Sequence, residues 1–238
     1  MKVTERLLSA TAEIWRAYNE HPFVLGIQNG TLDKAKFRFY MIQDYLYLAD
    51  YAKTFAVGVA KAKSLDTANL FAKYISVMNG ELNVHSGYLA RLGVTQEEID
   101  SAVPSLDNLS YTSYMLRIAY EEGEAEILAA ILSCAYSYEI IAKNMVKNNP
   151  SALLDEFYGD WVKGYTSEGY SLENTILLDK LDKMTENYTE KQICHLIDIF
   201  TACSRYELAF WQMSWEMRLK YTKRPSFRMV FGFSPVVL

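Results

Sequence analysis

The sequence predicts an all-α fold, on three observations. Helix-forming residues run in long blocks with apolar side chains three and four positions apart. No run alternates with a two-residue strand period, and no Asn-Gly hairpin joins β-branched stretches. Two capping boxes, Thr95-Gln96-Glu97-Glu98 and Thr189-Glu190-Lys191-Gln192, mark helix starts.

The elements follow in order. A first helix is expected over Val3 to Glu20, ending before Pro22, and a short one over Pro22 to Gln28, closed by Asn29-Gly30. Long helices follow at about Leu32 to Lys63 and Thr67 to Arg91, the latter stopped by Gly93. The Thr95 box opens a short helix that stops before Pro104. Further helices read from about Asn108 to Glu121 and Glu124 to Lys147. Asn149-Pro150 has the form of an N-cap with Pro at the first helical position, which predicts a helix to about Gly164. Leu172 to Glu186 reads as the next helix, and the Thr189 box opens the last, to about Lys220. Residues 1–220 thus form one helical domain, and 221–238, with two Pro, a Gly and scattered Phe and Val, form an irregular tail.

Composition limits function. Of 238 residues, 50% are hydrophobic, enough for a large core and too apolar for disorder. Net charge is −5 with no long basic face, which disfavours binding to nucleic acid. Three Cys at irregular spacing argue against a disulfide framework and for a reducing compartment. No apolar signal-peptide core follows Met1 to Arg6, so the expected location is the cytoplasm. The longest apolar stretch, Ile127 to Ala142, is shorter than the ~20 residues a spanning helix needs and holds Glu139. It is expected to be a buried helix, and no membrane role is expected.

Eighteen Tyr, against 11 Phe and 4 Trp, suit a pocket that both stacks on a flat ligand and hydrogen-bonds to it. Three groups carry possible chemistry. Asp44, Tyr47 and Tyr51 share one helix face. A carboxylate in that apolar stripe either pairs with a Lys, Arg or Tyr of another helix or binds an amino-heterocycle. Cys134 lies four residues before Tyr138, so thiol and phenol share a groove; the thiol is either inert core or a nucleophile. Glu207 precedes Phe210 and Trp211 by three and four positions. It is either ion-paired with Arg205 or Arg218, or a poorly solvated carboxyl with a raised pKa, fit to be a general acid. Glu81 and His85, four apart, read as a structural pair between helices. No zinc motif, Cys-x-x-Cys pair, glycine-rich phosphate loop or Gly-x-Ser-x-Gly is present, so neither metal nor cofactor is expected.

As an ordered set, these segments resemble the thiaminase II (TenA) family over about Glu13 to Trp215. The landmarks are Gln43-Asp44-Tyr45-Leu46-Tyr47-Leu48, Glu81…His85, Ser110-Tyr111-Thr112-Ser113, Ala125 to Ala130 leading into Cys134…Tyr138, Trp161…Tyr165, and Tyr206-Glu207…Phe210-Trp211. The resemblance implies a haem-oxygenase-like bundle without haem, assembled as a homotetramer. It implies hydrolysis of 4-amino-5-aminomethyl-2-methylpyrimidine, and of thiamine, in thiamine salvage. It gives Cys134 the role of nucleophile, Glu207 that of acid and base at the ring nitrogen, and Asp44 the ring's amino edge. Tyr47, Tyr111, Tyr138, Tyr165 and Phe210 would line the pocket. Two other readings compete: a metal-dependent oxidase of the same fold, which needs His and carboxylate ligands, and a non-catalytic pyrimidine-binding or regulatory protein, in which Cys134 is inert.

Overall fold

The structure, a computed structural model, describes residues 1–219, without the side chains of 79–84. The tail expected over 221–238 lies outside the described residues. These hold ten α-helices and one 3₁₀ segment, and no strand: α1 (Val3–Glu20), α2 (Pro22–Gln28), α3 (Lys34–Lys61), α4 (Leu65–Arg91), α5 (Gln96–Ser101), α6 (Leu106–Glu121), α7 (Glu124–Asn148), a 3₁₀ turn (Pro150–Leu154), α8 (Gly159–Thr166), α9 (Glu168–Met184) and α10 (Glu190–Glu216).

Side-chain caps set most of the starts. Asp33 Oδ1 accepts from the Ala35 amide at 2.8 Å, and the hydroxyls of Ser64, Ser105 and Ser167 cap α4, α6 and α9. These Asp and Ser caps move α3, α4, α6 and α9 a few residues from where hydrophobic spacing alone begins them. Both capping boxes form with reciprocal bonds: the Glu98 amide to Thr95 Oγ1 at 3.2 Å and the Thr95 amide to Glu98 Oε2 at 3.0 Å, and likewise for Thr189 and Gln192. The last helix stops at Glu216, where Met217 turns left-handed with φ 51°, short of the Lys220 expected.

The helix expected from Pro150 to Gly164 is not one helix. Asn149 does not cap it: its Oδ1 accepts from the Ser151 hydroxyl at 2.6 Å and not from a backbone amide, while its Nδ2 donates to the Gln28 carbonyl at 2.7 Å. The 3₁₀ turn ends at Asp155, whose Oδ1 accepts from the amides of Phe157 and Tyr158 and redirects the chain. Gly159 then opens α8 with room for no side chain: a Cβ there would lie 2.8 Å from the Leu153 carbonyl oxygen. This break lets α8 turn its aromatic face, Trp161 and Tyr165, toward α7.

Helix α7 is the axis of the bundle. It packs against α1, α3, α6, α8, α9 and α10 and is buried on nearly every face from Ala125 to Met145. It is the one described helix long and apolar enough to cross a membrane, and 78% of its apolar window is buried in protein, as in a core helix. Helices α3 and α4 pair closely, with Gly58 against the fully buried Phe71 ring. A Cβ at Gly58 would meet that ring at 2.9 Å. Gly58→Ala gains ~1 kcal/mol of helix propensity, but overpacking a buried ring costs about 1–3 kcal/mol. The expected outcome is net destabilisation in urea titration, relieved by Phe71→Leu in the same chain.

Candidate active site

Helix α3 brings Tyr40, Asp44, Tyr47 and Tyr51 to one face, all buried. The burial of Asp44 requires a partner, and the partner is His85 of α4: Nε2 to Oδ2 is 2.5 Å, with both side chains under 10% exposed. The expected Lys, Arg or Tyr is thus replaced by an imidazole. The expected pairing of His85 with Glu81 involves a side chain outside the described residues. Tyr47 stacks on Tyr51 with ring centres 5.3 Å apart, tilts against Tyr111 of α6 at 5.2 Å, and meets Phe210 of α10 edge-on.

Helix α7 contributes Cys134 and Tyr138, and α10 contributes Glu207. Glu207 is 2% exposed. Burial, and then the charge of Asp44, push its pKa from 4.5 up to about 8, while hydrogen bonding from Tyr111, Cys134 and Tyr138 pulls it partly back. Neither proposed arginine neutralises it: Arg205 is exposed, and Arg218 pairs with Asp107 and Glu216. Glu207 is therefore protonated at neutral pH. The hydroxyls of Tyr47, Tyr111 and Tyr138 have pKa values raised well above the usual 10, chiefly by burial. They are neutral donors and not bases.

Two cysteines of the core differ. Cys203 is fully buried and burial raises its thiol pKa, so it is inert packing. Cys134 keeps 9% exposure beside Glu207 and Tyr138.

A cavity of about 380 Å³ opens beside this cluster, walled by Met41, Tyr51, His85, Trp161, Tyr165 and Tyr170 among others. Of the eight residues expected in the site, Tyr165 borders it directly. Four more sit one contact behind the wall: Tyr138 lies 4.8 Å from Tyr165, Tyr47 stacks on Tyr51, Asp44 bonds His85, and Cys134 precedes the lining residue Ala135. Tyr111, Phe210 and Glu207 lie one contact further back, the first two against Tyr47 and Glu207 beside Tyr138. Spacing did not single out Trp161, Tyr170 or Asn174. The Trp161 indole donates to Tyr40, whose hydroxyl donates to Tyr138, each at 3.3 Å. Tyr170 and Asn174 of α9 both donate to the Ala135 carbonyl, at 2.9 and 3.2 Å, and so fix α7 next to the thiol. No sequence signal marks those two, because they act on a backbone atom of another helix. Among the described residues no three His, Cys, Asp or Glu side chains converge as a metal-ligand set.

The TENA/THI-4/PQQC family model matches residues 8–217. An aminopyrimidine aminohydrolase of Helicobacter pylori is 42% identical over 91% of this chain and 100% of its own length. A TenA homologue protein from P. horikoshii has a solved structure with a TM-score of 0.81 at 32% identity, covering 91% of this chain and 99% of that one. A Shewanella denitrificans domain with a heme oxygenase-like fold matches at TM-score 0.69 and 15% identity over 91% of this chain and 93% of its own, a likeness of fold alone. The all-α, haem-oxygenase-like architecture expected from the sequence is the one observed.

Proposed function

Because the chain belongs to the TENA/THI-4/PQQC family, we propose that it hydrolyses 4-amino-5-aminomethyl-2-methylpyrimidine to the 5-hydroxymethyl compound and ammonia, with Cys134 as nucleophile. The observation that carries this reading is the meeting of Cys134, a protonated Glu207 and Asp44, from three helices, inside one aromatic cluster. Aromatic walls suit a flat ring, and Asp44 suits its amino group.

Glu207 gives its proton to a ring nitrogen as the Cys134 sulfur bonds to a ring carbon. The amine then leaves the exocyclic methylene with the electron pair of its C–N bond and takes up the proton lost by the thiol, giving ammonia. Water adds to the methylene carbon and its spare proton returns to sulfur as the C–S bond breaks. The ring nitrogen returns its proton to Glu207, and aromaticity is restored. Since the neighbouring tyrosines are too weakly acidic to serve as tyrosinate bases, the proton acceptor for the thiol is the substrate's own amine.

Thiamine, with a thiazolium in place of the amine, is the second substrate of the proposal: the thiazolium leaves as neutral thiazole with the electron pair of its C–N bond, and the thiol proton passes to solvent water instead of to an amine. A homotetramer in the cytoplasm is the setting of the proposal. Three free cysteines support a reducing compartment. The test is turnover of both compounds in metal-chelating buffer by the wild type and by Cys134→Ala. Release of hydroxymethylpyrimidine by the wild type alone is expected, faster from the aminomethyl compound. A folded wild type that turns over neither would overturn the reading, and sedimentation as a monomer would remove the tetramer.

A further inference from the structure

Asp44 and Glu207 are both buried, at 5% and 2% exposure, and belong to one cluster. Two carboxylates sharing a desolvated site cannot both ionise cheaply, so one must carry the charge and the other the proton. Their partners differ. Glu207 faces neutral donors: the Tyr111 and Tyr138 hydroxyls and the Cys134 thiol. Asp44 faces an imidazole, with His85 Nε2 2.5 Å from Asp44 Oδ2.

We propose that His85 is a positioning residue for the reaction: its Nε2–H holds Asp44 as the ionised carboxylate, leaves Asp44 Oδ1 to accept from the substrate's amino group, and so consigns the proton of the pair to Glu207. In its role toward substrate the proposal rests on the function argued above; in its assignment of the proton it does not. An ionised carboxylate oxygen only accepts, so the contact requires the hydrogen on Nε2. His85 also borders the cavity, which places the pair at the wall a ligand would meet.

The other titratable groups around the pair do not compete for this role. Tyr40 of α3 and Tyr138 of α7 are buried phenols with pKa values well above the usual range, and Tyr111 of α6 is the same. On the cavity wall, Asp160 of α8 pairs with Arg91 and Lys163, and Glu173 of α9 pairs with Lys73. Tyr88, on the same helix as His85, donates no proton at neutral pH, since burial raises it too. Tyr165 and Tyr170 add two phenols from α8 and α9. No lysine or arginine borders the cavity beside Asp44, which leaves the imidazole as the strong donor among the described wall residues.

The test reads the proton directly. In an infrared difference titration of the full chain without substrate, the wild type should show a protonated carboxyl band that titrates near pH 8 and is missing in Glu207→Gln. His85→Leu removes the donor. The Glu207 band should then titrate at least about one unit lower, with a new protonated carboxyl that disappears when Asp44→Asn is added. His85→Gln, whose amide reaches about as far as Nε2, should restore the wild-type midpoint, a rescue that a space-filling role would not give. In turnover, the alkaline limb of kcat/KM should move with the band, and KM for the aminopyrimidine should rise about tenfold in His85→Leu, the worth of one hydrogen bond to a charged group, and recover in His85→Gln. An unchanged Glu207 midpoint in His85→Leu would overturn the proposal. Should that variant fail to fold, Asp44→Asn decides: removal of the charge must lower the Glu207 midpoint, and a midpoint that stays would overturn it equally. Because the infrared arm needs no turnover, failure of the hydrolase reading and failure of this one are separate results.

Discussion

Cys134→Ser is expected to reduce turnover of the aminomethylpyrimidine by on the order of 10³-fold or more, with little change in stability. Serine keeps the shape and a hydrogen-bonding hydroxyl at a site with 9% exposure, so the fold has no reason to respond. It does not keep the chemistry. A thiol becomes a nucleophilic thiolate within reach of neutral pH, whereas an alcohol among buried phenols and a protonated carboxyl has no base strong enough to activate it. Binding should survive, because the groups argued to hold the ring are Asp44 and the aromatic walls. The effect should therefore fall on kcat, with KM changed less than about threefold. Alkylation gives an independent check. Cys203 is sealed in the core, and Cys194 is exposed on the far end of α10. Mass spectrometry should find that loss of activity follows modification of Cys134 and not of Cys194. Wild-type turnover by Cys134→Ser would sink covalent catalysis and leave a binding protein or a different reaction.

Glu207→Gln is expected to show two large effects of different origin. Turnover should fall about 10²- to 10⁴-fold, the usual contribution of a general acid. Stability should respond to pH in the opposite sense from an ordinary salt-bridged carboxylate. The folded-state pKa of Glu207 is raised from 4.5 to about 8. Between those values the unfolded chain gives up a proton that the folded chain keeps, so the contribution to stability is complete below about 4.5 and is lost as pH rises toward 8. The loss is on the order of 4 kcal/mol at most. Gln carries no such proton. Guanidinium titrations at pH 5 and pH 9 should therefore show the variant gaining on the wild type at the higher pH. Parallel curves for the two proteins would mean that Glu207 titrates normally and is no acid at neutral pH.

Much of this molecule was legible without coordinates. Helix identity followed from three-and-four spacing because each helix buries a stripe, and the stripe is written into the chain. Cap positions were less well read where Ser or Asp precedes a polar first turn, as at Ser64, Ser105 and Ser167, because hydrophobic periodicity begins only later. The segment from Pro150 to Gly164 is broken for a specific reason: Asn149 has the composition of a cap, but its Oδ1 accepts from the Ser151 hydroxyl and its Nδ2 is held by the distant Gln28 carbonyl.

By itself the sequence determined the all-α class, the order of the long helices and the buried course of α7, since composition and period act locally along one chain, and it named candidates for chemistry with their inert alternatives open. It also set Glu207 near aromatics, which left open an ion pair or a raised pKa; in the fold, burial first and the charge of Asp44 second raise it. Only the tertiary structure decided who partners whom. It set His85 against Asp44, sent Arg218 away from Glu207 to Asp107, brought Trp161 to Tyr40, and hung α9 on the carbonyl of Ala135. Those contacts join residues 35 to 121 positions apart. They depend on how helices cross and which faces meet, and no short-range periodicity encodes a crossing.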